Sequence, residues 1–199
     1  MFRKLLCTCA ILLAFSPSLS AAVVFDEDTG GDLSGAFGAP TLIALSGGAN
    51  EIFGQMGSNG NTGASNGSDG DYFTFTLAAN QTIDSLTIVE YGFSPNDPGR
   101  SFMGYVNAAS FGGQGGGDVD GFWLFNASDI SGQTAGLGGS ALGVGGTLGP
   151  GEHSFWIQET SGNVVDWGLS FNLVTAIPEP SSALALLGVG ACVVVRRRR

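Results

Sequence analysis

Alternation of apolar and polar residues runs through the middle of the chain and predicts short strands rather than helices. In Asp71 to Leu77, three apolar side chains (Phe73, Phe75 and Leu77) share one face, and Tyr72, Thr74 and Thr76 share the other. A period of two is typical of a strand with one buried face. The same pattern predicts strands at Thr82 to Tyr91, Ser101 to Asn107, Phe122 to Phe125, His153 to Thr160 and Trp167 to Leu173, with weaker candidates at Thr41 to Leu45 and Glu51 to Gln55.

Glycine-rich connections separate these strands. Gly57 to Gly70, Gly112 to Gly117 and Ser131 to Gly151 are typical of surface loops, because glycine accepts a positive φ at little cost. The third of them is expected to hold one short strand near Ala141 to Val144. About eight short strands at this spacing predict an all-β fold, an antiparallel β-sandwich of the jelly-roll or Greek-key kind, over residues 23–175.

The N-terminal segment has a different pattern. Arg3 and Lys4 precede an apolar run from Leu5 to Phe15, which ends at the helix-breaking sequence around Pro17, and small residues follow. This order is typical of a secretory signal peptide. The pattern predicts that residues 1–22 form a signal helix, that the chain is exported through the Sec translocon, and that signal peptidase removes the helix.

The C-terminal segment, residues 176–199, combines three features in order. Pro178, Glu179 and Pro180 come first and predict an extended peptide, because each proline restricts itself and its predecessor. The apolar run 181–195 predicts a helix of roughly 22 Å, which is short for a hydrocarbon core about 30 Å thick. Arg196, Arg197, Arg198 and Arg199 then form a membrane stop that the positive-inside tendency keeps in the cytoplasm.

This arrangement resembles the PEP-CTERM sorting signal of exported bacterial proteins. The resemblance implies that an exosortase-type membrane protease is a partner and processes the chain near Pro178 to Pro180. It also implies a transient tether at the inner membrane, then a place on the cell surface or outside the cell, and an association with exopolysaccharide. An ordinary C-terminal membrane anchor is the alternative.

Part of the body carries a second resemblance. Asp69 to Leu77, Thr82 to Leu86 and Leu148 to Gln158 are similar to strands of the bacterial pre-peptidase C-terminal domain, a small β-sandwich found in secreted proteins. The similar region covers about residues 68–174. This resemblance implies an accessory or binding module, and it brings no catalytic residues with it.

Charge narrows the range of partners. The chain has 34 glycines among 199 residues and a formal net charge of −10. Arg100 is the one basic residue between Lys4 and Arg196, so the body is strongly acidic. An acidic surface disfavours binding to nucleic acid and to anionic membranes. The three cysteines (Cys7, Cys9 and Cys192) fall in the two end segments, which excludes a disulfide or a thiolate metal site in the body.

Paired carboxylates make calcium the candidate cofactor. Asp69 and Asp71 flank a glycine at the start of a strand, and Asp118 and Asp120 flank a valine after a glycine run. In an extended segment, residues two apart point to one side, so each pair can offer two oxygen ligands to a hard cation. Neither pair completes an EF-hand loop. Solvated loop carboxylates are the alternative interpretation.

Catalysis has little support in the sequence. His153 is the only histidine, no nucleophile motif accompanies it, and we expect it to be an exposed or half-packed strand residue. The aromatic side chains of Trp123, Trp156 and Tyr105 suit stacking on sugar rings, but core packing is the favoured interpretation. We therefore expect a non-enzymatic structural or adhesive surface protein. A calcium- or carbohydrate-binding module is the alternative, and a hydrolase is the least supported.

Overall fold

The computed structural model describes residues 20–57, 69–92, 101–113, 117–125, 146–159 and 164–176. Within these ranges, no helix has the length and apolarity needed to cross a bilayer. The predicted signal helix, the predicted transmembrane helix at 181–195 and the predicted strand near Ala141 to Val144 lie outside the described residues. The described elements are β1 (Ala22–Asp26), α1 (Glu27–Gly30), β2 (Thr41–Leu42), β3 (Gly48–Met56), β4 (Gly70–Leu77), β5 (Gln81–Gly92), β6 (Ser101–Val106), β7 (Gly121–Phe125), β8 (Gly151–Glu159) and β9 (Val165–Thr175).

The strands form two sheets that pack face to face. One sheet has the order β1-β3-β9-β5, and the other has the order β2-β4-β8-β6-β7. Side chains from both sheets form one buried cluster, which is the arrangement of a β-sandwich. The all-β prediction is confirmed, and each of the eight predicted strands has a counterpart whose ends lie within a few residues of those expected, whereas β1 was not predicted.

Both sheets are mixed, so the prediction of a purely antiparallel sandwich is wrong at two edges. β1 pairs with β3 in parallel, and β2 pairs with β4 in parallel. A parallel pair needs a long connection to bring the chain back in the same direction. Here α1 and β2 lie in the connection between β1 and β3, and β3 lies between β2 and β4.

Aromatic rings dominate the core between the sheets. Phe171 of β9 is fully buried and meets three rings of the opposite sheet edge-on, with centroid distances of 6.0 Å to Phe73, 5.3 Å to Phe75 and 5.1 Å to Phe155. Edge-to-face contacts of this kind stabilise a core beyond the area that they bury. The apolar face that the alternation predicted for β4 therefore points into the sandwich.

A second, smaller cluster covers the outer face of the second sheet. Tyr72, Phe111 and Trp156 are buried there, and the Tyr72 and Trp156 rings stack with centroids 5.5 Å apart. The backbone N–H of Phe111 donates to the carbonyl of Phe37 at 3.0 Å, which fixes the covering loop. Alternation identified Tyr72 as facing away from the main core but gave no sign that its face is also covered.

The end of the sandwich is fixed next to the C-terminal segment. β9 ends at Thr175, and the N–H of Ala176 donates to the carbonyl of Asn80 at 2.8 Å. The Asn80 side chain donates in return to the carbonyl of Ala176 at 3.3 Å. At the other end, β1 begins at Ala22, the last residue of the predicted signal peptide, so the predicted boundary falls at the first position of this strand.

Candidate metal centre

A single turn of helix brings the first carboxylate into place. Asp26 caps α1 from an extended conformation, and its side chain accepts a hydrogen bond from the Asp28 N–H. Capping residues of this kind satisfy a backbone donor at a helix start. The turn ends at Gly31, whose φ of 84° favours glycine and reverses the chain. Glu27 therefore projects toward the sandwich, and Asp32 follows directly after the reversal.

Two backbone donors hold the Glu27 carboxylate. One oxygen, Oε1, accepts from the N–H of Leu33 at 2.7 Å, and Oε2 accepts from the N–H of Gln55 at 2.6 Å. The site also depends on Gly54, because a Cβ there would lie 2.6 Å from the Trp167 ring and 2.9 Å from Glu27 Oε2. Glycine at this position lets the carboxylate and the indole lie against the backbone of β3.

Asp71 approaches the same place from β4. It is fully buried, and its Oδ2 accepts a hydrogen bond from Trp167 Nε1 at 2.8 Å. Its Oδ1 is buried and accepts no hydrogen bond from the described residues. Asp69, two residues earlier, is also fully buried. Buried carboxylates normally have partners for both oxygens, and Asp71 Oδ1 departs from this rule among the described residues.

Glu27, Asp32 and Asp71 form one group, which we call the carboxylate cluster. Each residue offers an oxygen, and these oxygens lie within 4.8 Å of one another. A cavity of about 490 Å³ opens beside it, with Glu27, Gly54 and Trp167 in its wall. Four further acidic side chains line this cavity, namely Asp26, Asp28, Glu90 and Asp166.

The cluster has an unfavourable charge balance. Burial, more than any other cause, raises the pKa of Glu27 to about 7, with Asp32 and Asp69 adding repulsion against the backbone donors that lower it. Burial also raises the pKa of Asp71 well above its ordinary value, and the charges of Glu27 and Asp69 add to the effect. Lysine and arginine are absent from the sequence of the described ranges. Among the described residues, only a proton or a bound cation is left to offset the negative charge.

The structure brings together only part of the predicted calcium ligands. Asp71 belongs to the cluster and Asp69 acts on it electrostatically, whereas Asp118 and Asp120 are not among its members. Asp120 instead accepts a hydrogen bond from the Asn107 N–H at 2.7 Å. Calcium binding by these aspartates stays a prediction. Sequence reasoning missed Glu27 and Asp32, for which the run of acidic residues after Phe25 was the available signal.

His153 is buried, contrary to the expectation of an exposed or half-packed residue. Its Nε2 lies 2.8 Å from the Gly149 carbonyl and its Nδ1 lies 2.8 Å from the Tyr105 hydroxyl. A carbonyl can only accept, so Nε2 carries the proton and Nδ1 accepts from Tyr105. Burial lowers the pKa of His153 and raises the pKa of Tyr105 to about 12, with Asp120 adding to the second effect. Both pKa shifts favour the uncharged forms of His153 and Tyr105, which are the forms that this hydrogen bond joins.

The aromatic residues considered for sugar stacking mostly pack inside the protein. Tyr105 is 2% exposed and Trp156 is 9% exposed, while Trp123 is half-buried against the main core. Core packing, the favoured interpretation, is confirmed for Tyr105 and Trp156.

The sorting residues follow directly after the last described residue. Pro178, Glu179, Pro180 and the four arginines from Arg196 to Arg199 lie outside the described residues. Residues 176–199 match the family model of the PEP-CTERM protein-sorting motif. The chain carries a PEP-CTERM motif. Such a motif is recognised by exosortase, a membrane protease, and it implies export, processing at the membrane and sorting to the cell surface.

The PEP-CTERM match covers residues 176–199 and does not include the sandwich. Comparison with curated proteins gave no match, and comparison with solved structures gave none either. No family match confirmed the resemblance of the body to the pre-peptidase C-terminal domain, which stays a prediction.

Titration of the cluster gives a testable pH dependence. The unfolded chain releases the Glu27 proton near pH 4.5, whereas the folded protein holds it to about pH 7. Glu27 therefore contributes stability to the metal-free protein below pH 4.5, and that stability is lost as the pH rises through about 7. Because Glu27 is partly exposed, solvent screening weakens this effect, and we expect the free energy of unfolding to fall by about 1–2 kcal/mol.

Chelator-treated protein, melted at a series of pH values, measures this loss. We expect Glu27→Gln to lose less stability than the parent between pH 4.5 and 7.5. Glu27→Gln also removes the repulsion that helps to raise the pKa of Asp71, so the difference between the two proteins reports the joint titration of Glu27 and Asp71 and excludes His153. Parallel curves for the two proteins would contradict the assignment.

Proposed function

We propose that this chain is a non-catalytic surface protein that an exosortase-type protease processes near Pro178 to Pro180. After processing, the β-sandwich acts as a structural or adhesive part of the extracellular matrix, in association with exopolysaccharide. One observation carries the proposal: the PEP-CTERM match begins at residue 176, and the last strand ends at Thr175. The sorting motif and the folded body therefore adjoin without overlapping.

The junction is suited to processing of a folded protein. Ala176 is held by two hydrogen bonds with Asn80, and Pro178 follows two residues later. At most about 3.5 Å per residue, these two steps span about 7 Å. Cleavage near the motif thus removes the tail close to the sandwich without removing any residue of β9.

The interior of the body supports a non-catalytic role. Both ring nitrogens of His153, the only histidine, have partners within the protein, so this residue serves packing rather than proton transfer to a substrate. The main core is filled with aromatic and aliphatic side chains. We propose that the acidic body contributes a stable, soluble unit to the matrix rather than a reaction.

Replacing both Pro178 and Pro180 with alanine tests the processing step. We expect the full-length chain to accumulate in the membrane fraction, because the rigid extended peptide is lost. The control is Ser181→Ala with Ser182→Ala, which changes the adjacent residues but keeps the motif. Fractionation and mass spectrometry of the mature C-terminus provide the measurement. A surface form of the parent that is intact through Arg199 would overturn the proposal.

Association with polysaccharide needs a separate experiment. The exported protein is incubated with the producer's own exopolysaccharide, and with dextran of similar size as the control, and is then sedimented. We expect the protein to sediment with the exopolysaccharide and to stay in solution with dextran. Equal recovery with both polymers would count against a specific matrix role, while leaving the sorting step unaffected.

A further inference from the structure

We propose that the carboxylate cluster of Glu27, Asp32 and Asp71 binds a divalent cation, and that calcium is the ion that fits it. The ion then joins the segment after β1 to β4, which belongs to the opposite sheet. The proposal is independent of the sorting role, because it uses only residues of the sandwich.

Geometry is the first argument. The three offered oxygens lie within 4.8 Å of one another. Calcium binds oxygen at about 2.3–2.6 Å, so two ligands on opposite sides of one ion are separated by up to about 5 Å. The cluster therefore has the dimensions of a calcium shell before any side chain moves. Magnesium needs shorter distances, about 2.0–2.1 Å, and stricter octahedral geometry.

The second argument is an acceptor with no donor. Asp71 is 0% exposed, and its Oδ1 receives no hydrogen bond from any residue that the structure describes. Its other oxygen is fixed by Trp167, so the carboxylate cannot turn away without losing that bond. A buried carboxylate oxygen is costly unless something positive faces it. A cation in the cluster supplies that partner.

Preorganisation and charge support the same conclusion. Both Glu27 oxygens are held by backbone N–H groups, which leave lone pairs for an ion. The sequence between Lys4 and Arg196 offers a single basic residue, Arg100, which lies outside the described residues. Seven carboxylates therefore line the cluster or its adjoining cavity without a lysine or arginine from the described ranges to balance them. The acidic cavity, which shares Glu27 with the cluster, attracts cations to its vicinity.

Calcium titration of the chelator-treated full chain tests the site. At a calcium concentration about 100-fold above the dissociation constant, we expect the melting temperature to rise by about 5–10 °C. Magnesium at the same concentration is expected to give a smaller rise. No change at millimolar calcium would overturn the proposal and leave protonation as the means of neutralising the cluster.

Variants locate the site. Asp32→Asn changes an exposed ligand, so the protein keeps its fold, and we expect it to lose most of the calcium-induced rise. Asp71→Asn keeps an oxygen for Trp167 and is expected to lose the rise as well. Glu152→Gln, which changes an exposed carboxylate on β8 that belongs to neither the cluster nor the cavity, is the control and keeps the rise. A rise that is lost in Asp118→Asn but retained in Asp32→Asn would place the ion elsewhere and overturn the assignment.

Terbium luminescence adds a direct readout. Trp167 donates to a proposed ligand, so a terbium ion in the cluster lies close to its indole and is sensitised by tryptophan excitation. We expect bright luminescence from the parent, competed away by calcium. Trp167→Phe is expected to lose most of this signal, and Asp32→Asn is expected to bind terbium more weakly. Equal luminescence from the parent and Trp167→Phe would contradict the location.

Discussion

Replacing Phe171 with alanine is expected to lower the free energy of unfolding by about 3–5 kcal/mol. Phe171 is 0% exposed and is the point at which three rings of the opposite sheet converge, those of Phe73, Phe75 and Phe155. Removing it eliminates all three edge-to-face contacts and leaves a cavity that a two-sheet core cannot close. Since a typical domain is stable by 5–15 kcal/mol, this one change removes a large share of the total.

Denaturant unfolding measures the effect, and Phe122→Ala is the control. Phe122 is 53% exposed on the edge strand β7, so its truncation is expected to cost less than about 1 kcal/mol. The midpoint of the Phe171→Ala transition should fall well below that of the control. If both variants unfolded at the same denaturant concentration, the described packing of the two sheets would be wrong.

Gly54→Ala is expected to have the second largest effect, about 2–3 kcal/mol of lost stability together with a weakened response to calcium. The added Cβ would lie 2.6 Å from the Trp167 ring, which is 1% exposed, packs on Phe73 and donates to Asp71. The ring cannot move aside freely, so the strain passes to the core. The same Cβ would lie 2.9 Å from Glu27 Oε2 and would displace that carboxylate.

Gly47→Ala is the matched control for this prediction. It lies just before β3, and a Cβ added there meets no atom within 4 Å. We expect its stability to change by less than about 0.5 kcal/mol and its calcium response to match that of the parent. Thermal melts with and without calcium compare the two variants. A Gly54→Ala protein as stable as Gly47→Ala would show that Trp167 does not lie against β3 as described.

Local pattern was sufficient to predict most strands but not how they pair. The alternation of Phe73, Phe75 and Leu77 identified β4 and its buried face, because a period of two depends only on the strand itself. The parallel partners of β1 and β2 were missed, because strand direction depends on connections that place distant segments side by side. The covered outer face at Tyr72 was missed for the same reason, since Phe111 reaches it from another part of the chain.

At the candidate metal centre, too, local pattern predicted one part and missed the part that depends on the fold. A pair of aspartates at the start of β4 was visible as a local pattern, and Asp71 belongs to the cluster. Glu27 and Asp32 lie about 40 residues earlier in the sequence and reach Asp71 only through the fold. No local spacing connects them, and the second predicted pair, Asp118 and Asp120, followed a local pattern of equal strength. The hydrogen bond between His153 and Tyr105 was equally invisible, because Tyr105 lies 48 residues earlier in the chain.

The place of β9 in the first sheet has a consequence for the order of events during export. β9 lies between β3 and β5, so these two strands have no common neighbour until the last residues of the body have crossed the membrane. Five residues, 176–180, separate its end from the apolar run that begins at Ser181. If that run arrests in the bilayer, the sheet closes while the chain is still attached there. The protein would then complete its folding beside the enzyme that processes it, so that the tail is cut only after the sandwich has closed.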